Sequence, residues 1–392
     1  MGEAVVVAAT RTPIARVGRS LAGLSLQEIG KVTVSGALAA SGIDPEDIDD
    51  LILGEVLQGG GCTARYIAVD LGLPIDTPGL AVQRQCATGM VAVQEAAAQI
   101  RSGMARVIVA GGIESMTSSP QQFARSPFPF GGVERYLPPS HPNTADAPNM
   151  NMLITVGENT ANECGITREE QDEWAYHSNI RAIAATDDGR YAKEIVPVEV
   201  PAGRGQTVTF AVDEQPRRDT SPEKLAALPS LTGPDGTITA GNSSGIGDGG
   251  AAMVVVDRDY ADRHHLEVLA VVRSWAASGI EPARTGLAPT VAVPRALELG
   301  GLGLADVDLV EINEAFASMA VASSRKLGFP HDIVNVNGGA VGMGHPVGCS
   351  GTRIMVTLIH ELRHRGGGIG VATLCAGGGM GSATVVEVPA PA

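Results

Sequence analysis

Val107-Ile-Val-Ala-Gly-Gly112 and Gly370-Val-Ala-Thr-Leu-Cys-Ala-Gly-Gly378 are the stretches on which the fold turns. Each is a short unbroken apolar run closed by glycines, the pattern of a strand buried on both faces. A helical stretch precedes each: apolar residues recur at helical intervals from Met90 to Ile100 ahead of Gly103, and again from Ser350 to Arg363. Both helices follow an unusual turn, Gln83-Arg-Gln-Cys-Ala-Thr-Gly89 in one case and Gly338-Gly-Ala-Val-Gly-Met-Gly-His-Pro-Val-Gly-Cys-Ser-Gly351 in the other. The order turn, helix, buried strand occurs twice, which predicts a duplicated α/β unit.

Outward from these anchors, Val5 to Ala9 and Leu51 to Gly54 read as strands, and Ala81 to Arg84 as a short extended run. Ser25 to Ser41 has helical spacing, with Ser25 placed to cap it and Glu28 to close a capping box. Late in the chain Val310 to Ile312 and Asp332 to Val336 read as strands, and Gly247 to Gly250 as a turn into the strand Ala251 to Val256. The middle has another texture: Pro120 to Pro148 is rich in Pro, Ser and Asn, and Thr167 to Thr186 is a charged helix that Gly189 ends. The expected division is an N-terminal half over 1–116, a loop domain over 117–250 that returns to that half near its end, and a C-terminal half over 251–392. Long irregular insertions of this kind serve as lids, binding loops or oligomer contacts.

Composition narrows the function classes. With 28 Lys+Arg against 43 Asp+Glu, the net charge of −15 argues against nucleic acid or an anionic membrane as partner. Any anionic ligand needs a local basic patch, and Arg204, Arg217, Arg218 and Lys224 form a candidate. No run of eighteen apolar residues occurs, and the apolar start lacks the preceding positive charge of a leader, so a cytoplasmic protein is expected. The nearest two of the five cysteines, at 62, 86, 164, 349 and 375, are 24 residues apart. That spacing fits neither a zinc site nor a disulfide framework, and no metal is expected.

Cys86 stands between an extended run and a helix, where a helix N-terminus would lower a thiol pKa and supply backbone donors to an oxyanion. It reads either as a nucleophile or as a buried structural cysteine. His345 is presented by a glycine-dense turn that lets backbone approach closely, just before Pro346, which can open a helix. Cys375 ends a buried strand and is followed by glycines whose N–H groups are free to face a ligand. Asn313, after the strand Val310 to Ile312, reads as a hydrogen-bond donor or a helix cap. Gly241-Asn-Ser-Ser-Gly245 also fits the serine hydrolase elbow, with Asp306 or Asp308 and then His345 in chain order; but an elbow must lead into a helix, and here a strand follows.

Taken together, the Cys86 turn, Asn313-Glu-Ala-Phe-Ala317, Gly344-His-Pro346 and Cys375-Ala-Gly-Gly-Gly379 resemble the thiolase family over nearly the whole chain. Gly111-Gly-Ile-Glu-Ser-Met116, Ile166 to Asp172, Glu194-Ile-Val-Pro197 and Gly241 to Gly245 resemble further family segments in the expected order. The resemblance implies a five-layer α/β/α/β/α fold of two duplicated halves with an inserted loop domain, assembling as dimers or tetramers. It implies thiolytic cleavage of a 3-ketoacyl-CoA, or the reverse Claisen condensation, with coenzyme A as substrate and no tightly bound cofactor. By the same resemblance Cys86 carries the acyl group, His345 takes its proton and Cys375 moves a proton at the α-carbon. The N–H groups of Cys86 and Gly377 form one oxyanion hole, and His345 with a water held by Asn313 forms the other. Arg217 and Ser244 would hold coenzyme A. Gln83, Met152 and Leu153 depart from common family patterns and mark where acyl specificity would be set. A second cysteine where related condensing enzymes carry a second histidine suits reversible chemistry.

Overall fold

The computed structural model describes residues 2–390 except 59, 127, 129 and 151. Among the described residues the body is a ten-stranded sheet, a short strand Ala15–Arg16 on the edge of one member and nine along its path: β1 (Ala4–Arg11), β2 (Asp50–Gly54), β3 (Leu80–Val82), β4 (Val107–Ser115), β5 (Gly247–Asp257), β6 (Ala270–Gly279), β7 (Leu309–Ile312), β8 (Gly368–Ala376) and β9 (Met380–Val388). They lie in the order β7-β8-β9-β6-β1-β5-β4-β2-β3. The duplication is explicit in the pairing. β1 runs antiparallel to β5, β5 antiparallel to β4, and β4 parallel to β2. Likewise β6 runs antiparallel to β9, β9 antiparallel to β8, and β8 parallel to β7. The two half-sheets join only where Val5 and Val6 of β1 meet Val271 and Ala270 of β6.

Seven helices matter here: α1 (Leu26–Ser41), α2 (Thr88–Ser102), α3 (Met152–Cys164), α4 (Arg168–Asp187), α5 (Pro289–Leu299), α6 (Ala317–Leu327) and α7 (Ser350–Arg365). Strand alternation sorts side chains to opposite faces, and here both faces are apolar. Val107 and Val109 of β4 join Val34 and Ala37 of α1 on the outside, while Ile108 and Ala110 face inward to α2 and α7. The inward faces of both half-sheets share that central cluster, with Leu374 and Val386 of the second half packed beside Met253 and Val255 of the first. Val310, Val371 and Val385 turn outward onto α5 and α6. The layers are therefore helix, sheet, helix, sheet, helix, as the resemblance implied. Each buried apolar side chain of this kind contributes about 1.5–3 kcal/mol of transfer free energy.

The N-termini of α2 and α7 cross at glycine. A side chain on Gly351 would stand 2.5 Å from the Met90 amide nitrogen, and one on Gly89 would stand 2.6 Å from Thr352 Oγ1. This contact sets the Cys86 turn and the His345 turn side by side.

Two expectations need correcting. Asp332 to Val336 forms no strand: only Val334 bridges β7. Asn335 adopts a left-handed φ of 46°, and its amide side chain pairs with both the Ile312 N–H and carbonyl at 2.8 Å in place of a backbone ladder. Gly247 to Gly250 is not a turn but the start of β5, running between β4 and the body of the first half. Its glycines serve close packing, since a side chain on Gly250 would run into Thr33 of α1. The division drawn after residue 250 consequently falls inside a strand whose partners, β1 and β4, both belong to the first half.

The intervening segment carries α3, α4 and two small hairpins, Phe123–Arg125 with Val133–Arg135 and Val198–Gly203 with Gln206–Phe210. The capping boxes at Ser25 and Thr167 are both formed. Buried Arg11 ties this segment to the body, reaching Glu194 at 2.6 Å and Asp213 at 2.8 and 2.9 Å.

Candidate active site

The nucleophile candidate sits in a tight turn. Arg84 N–H donates to Thr88 Oγ1 at 2.7 Å, and the amides of Ala87 and Thr88 return to the carbonyls of Arg84 and Gln85. Gln85 is thereby held at φ 47°, a left-handed conformation costing a non-glycine residue about 1–3 kcal/mol. The turn delivers the Cys86 thiol to the core, 4% exposed, with the N–H groups of Gly377 and of Cys86 itself near enough to favour the charged sulfur. The two donors assigned by resemblance to one oxyanion hole thus both act on this sulfur.

Burial overrides the helix end. The Cys86 thiol is pushed up to about 11, chiefly by desolvation, with the carboxyl of Glu114 adding to the rise and the two N–H groups opposing it. The expectation of a thiolate favoured by the α2 N-terminus is corrected: the resting group is a thiol. Helix dipole effects amount to about 0.3–1 kcal/mol, too little against desolvation of a buried anion.

His345 is 5% exposed. Its amide donates to the Gly245 carbonyl at 2.8 Å, and Nδ1 lies 2.6 Å from Ser350 Oγ. The Ser350 hydroxyl donates to the Pro346 carbonyl at 2.9 Å, so it accepts from Nδ1–H and leaves the Nε2 lone pair for chemistry. Nε2 faces Asn313 Nδ2 at 3.5 Å. Burial, with Arg353 nearby, brings the imidazole down to about 3; it is neutral at physiological pH. Pro346 opens a turn rather than the helix, which starts at Ser350.

Asn313 is anchored by its amide to the Thr373 carbonyl at 2.9 Å. It does not cap α6, whose N-cap is Phe316; its carbonyl oxygen is buried with no partner among the described residues. Its neighbour Glu314 receives four donors, Trp174 Nε1, Ser178 Oγ, Asn335 Nδ2 and Val341 N–H, at 2.6–2.9 Å, fixing the box against α4. Cys375, 2% exposed, ends β8 with its sulfur 3.6 Å from Met319 Sδ. Burial, then the neighbouring Cys86, pushes its thiol up to about 12. Met152, Phe316 and Met319 form an apolar cluster around it, with Leu153 packed on the edge. Gln83 lies elsewhere, lining a cavity of about 270 Å³ with Glu55 and Gln58.

A second cavity, of about 370 Å³, is lined by Asn179, Gln215, Arg217, Lys224, Ser243 and Gly245. Ser244 lies between two lining residues and donates its N–H to the Ala315 carbonyl at 3.1 Å. Gly245, whose carbonyl holds the His345 N–H, therefore links this cavity to the His345 turn. Arg217 and Arg218 differ sharply: Arg218 is tied to Asp187, whereas the Arg217 guanidinium makes no hydrogen bond among the described residues. Arg204 sits at a hairpin turn outside the cavity. Cys62 is exposed, Cys164 half-buried and Cys349 buried. Sequence reasoning missed Ser350, Glu114 and Met319, because a serine opening a helix and a glutamate near the end of a strand carry no signal until the fold sets them beside His345 and Cys86.

Residues 4–259 match the model of the thiolase N-terminal domain and residues 266–388 that of the thiolase C-terminal domain. The chain is 42% identical to an acetyl-CoA acetyltransferase of Chromobacterium violaceum over 99% of its length and 100% of that protein. It is equally identical to one of Escherichia coli over 99% of both. Among solved structures, the acetyl-CoA acetyltransferase of Bacillus anthracis superposes with a TM-score of 0.92 at 38% identity, covering 99% of both chains. A human mitochondrial 3-ketoacyl-CoA thiolase in complex with CoA superposes at 0.91 and 36%, covering 99% and 98%.

Proposed function

Since the chain belongs to the thiolase family, we propose that its acyltransferase reaction is carried by Cys86, His345, Cys375, Asn313 and Gly377, with coenzyme A held at Arg217 and Ser244. The observation that carries this reading is the packing of the Cys86 turn against the His345 turn at Gly89 and Gly351, with Asn313 facing His345 Nε2 and with Cys375 and the Gly377 N–H near enough to act on the Cys86 sulfur.

In the cleavage direction the Cys86 proton passes to His345 Nε2 as sulfur attacks the 3-keto carbon. The oxyanion forms between the Cys86 and Gly377 N–H groups, a location where losing one donor costs about 10²–10³ in rate. The C2–C3 bond then breaks, its electron pair forming the acetyl-CoA enolate, and Cys375 protonates C2. A thiol pushed up to about 12 by burial is suited to donate that proton and take it back in condensation. The enolate oxygen, close to His345 Nε2 and the Asn313 side chain, is stabilised there. Free CoA then gives its proton to the Cys375 thiolate as its sulfur attacks the acyl-cysteine, and the departing Cys86 sulfur takes back the proton held on His345 Nε2, so that both thiols and the neutral imidazole are restored.

Arg217, unpaired beside a cavity that reaches Gly245, supplies positive charge for the nucleotide phosphates of CoA. The apolar cluster of Met152, Phe316 and Met319 faces the acyl group. We place the protein in the cytoplasm, acting in β-oxidation as a homodimer or homotetramer. Five free cysteines fit a reducing compartment, and no helix among the described residues is long and apolar enough to cross a membrane. The open outer edge of β3 and the exposed Phe123, Val133, Tyr136 and Leu137 beside the small hairpin provide surfaces for copies of the chain to meet.

The test is intact-protein mass spectrometry after incubation with acetyl-CoA and with a longer acyl-CoA. An acyl adduct mapped to Cys86 and released by free CoA supports the reading; Cys86→Ala should form none, and Cys375→Ala should form it yet fail at carbon–carbon chemistry. No adduct with any acyl-CoA would sink it.

A further inference from the structure

The turn that carries Gly377 poses a physical problem. Gly377, Gly378 and Gly379 are consecutive glycines between β8 and β9, and the last two hold left-handed φ values of 91° and 80°. Such a segment has the largest conformational entropy to lose, yet the Gly377 N–H has to aim at Cys86 with the accuracy an oxyanion donor demands. Something outside the turn must fix it.

The structure provides one side chain for this. Gly379 N–H donates to Thr285 Oγ1 at 2.9 Å, and the Thr285 hydroxyl donates to the Pro282 carbonyl at 2.6 Å. The Gly379 carbonyl accepts from Ile280 N–H at 2.7 Å, so both backbone groups of Gly379 are tied to the same short segment. Among the described residues no other side chain hydrogen-bonds the turn. Thr285 is fully buried, within the 3₁₀ helix Pro282–Leu287. That helix is itself wedged in place: a side chain on Gly286 would stand 2.7 Å from Met319 Cγ, and Met319 is the residue touching the Cys375 sulfur. One short element thus abuts both the glycine turn and the wall of the second thiol.

We infer that Thr285 is a positioning residue of the acyl-transfer step, clamping the glycine turn through Gly379 so that the Gly377 N–H stays aimed at the oxyanion formed at Cys86. The inference rests on the catalytic reading above. It concerns no new bond to substrate: the effect is on the placement of a donor, and Thr285 touches the turn rather than the reacting atoms.

Thr285→Val keeps the shape and removes the acceptor, and Thr285→Ser keeps the hydroxyl. Two rates on Cys86 distinguish the inference from a general loss of structure. Alkylation by iodoacetamide builds no oxyanion and reports the thiol alone, whereas acylation by acetyl-CoA, followed by rapid quench and mass spectrometry, requires the hole. Thr285→Val should acylate at least about tenfold more slowly, up to the hundredfold to thousandfold of outright donor loss, while alkylation falls far less, by no more than the share the Gly377 N–H has in favouring the thiolate, and Thr285→Ser should restore acylation. An unchanged acylation rate in Thr285→Val, or equal losses of alkylation and acylation, would overturn it. If the wild-type protein itself takes no acyl group on Cys86, the catalytic reading fails and this inference falls with it, an outcome distinct from a wild type that acylates and a valine variant that does so equally well.

Discussion

At the scale of single residues, the site rests in an uncharged state. Cys86 and Cys375 are thiols pushed up to about 11 and about 12 by burial, and His345 is a neutral base brought down to about 3. On the proposed roles of Cys86 and His345, nucleophilicity is then generated with substrate in place, by proton transfer to Nε2. The free enzyme should alkylate with iodoacetamide at a rate that climbs steadily with pH from 7 to 9, because the thiolate fraction rises about tenfold per unit below the pKa. A plateau near pH 7 would show an ionised resting cysteine and overturn this account. Ser350 fixes the tautomer through Nδ1. Ser350→Ala should lower kcat by about tenfold, less than the 10²–10⁴ expected for losing the base in His345→Ala, with KM for acyl-CoA little changed. That the turns of Cys86, His345 and Cys375 are special was legible in the sequence, from a strand-to-helix junction at Cys86 and from glycine-rich turns at His345 and after Cys375. The ionisation of Cys86 was not, since burial is a property of the assembled core and outweighs the helix end that sequence does reveal.

At the scale of elements, most strands and helices were readable from periodicity, and the exceptions have identifiable causes. Asn335 replaces a ladder with its own side chain, so a β-like run from Asp332 to Val336 never becomes a strand. The glycines of β5 look like turn residues and are spacers, Gly250 against Thr33 of α1 and Gly247 against Ala15. The same logic governs the crossing of α2 and α7, where the glycines admit no Cβ. Gly351→Ala would place a methyl 2.5 Å from the Met90 amide, and overpacking of this kind costs about 1–3 kcal/mol. Calorimetry should find a lowered Tm. Because this contact holds the two turns together, acylation of Cys86 should slow in the same variant; full activity with a lowered Tm would separate the packing from the chemistry.

At the scale of the whole molecule, the duplication was visible as repeated grammar, but the joining of the half-sheets through Val5 and Val6 was not, since two residue pairs leave no pattern in a sequence. Duplication also encloses acids that neither half would bury alone. Glu114 ends β4 with no exposed surface, accepting from Val56 and Gly348 N–H at 3.2 and 3.1 Å, and Gly348 belongs to the other half. Burial raises its carboxyl from 4.5 to about 7 despite those donors. Below pH 4.5 it is protonated in both folded and unfolded chains. As pH rises the unfolded chain ionises first, so the contribution of this group to stability is lost between about 4.5 and 7 and stays lost above, on the order of 3 kcal/mol. Glu114→Gln keeps an acceptor for both amides and cannot ionise. Its Tm relative to the wild type should therefore rise between pH 5 and pH 8, and its Cys86 should alkylate faster at pH 8, the neighbouring charge having gone. A Tm difference that stays constant across that range would mean that Glu114 is ionised throughout, with its backbone donors outweighing the cost of burial.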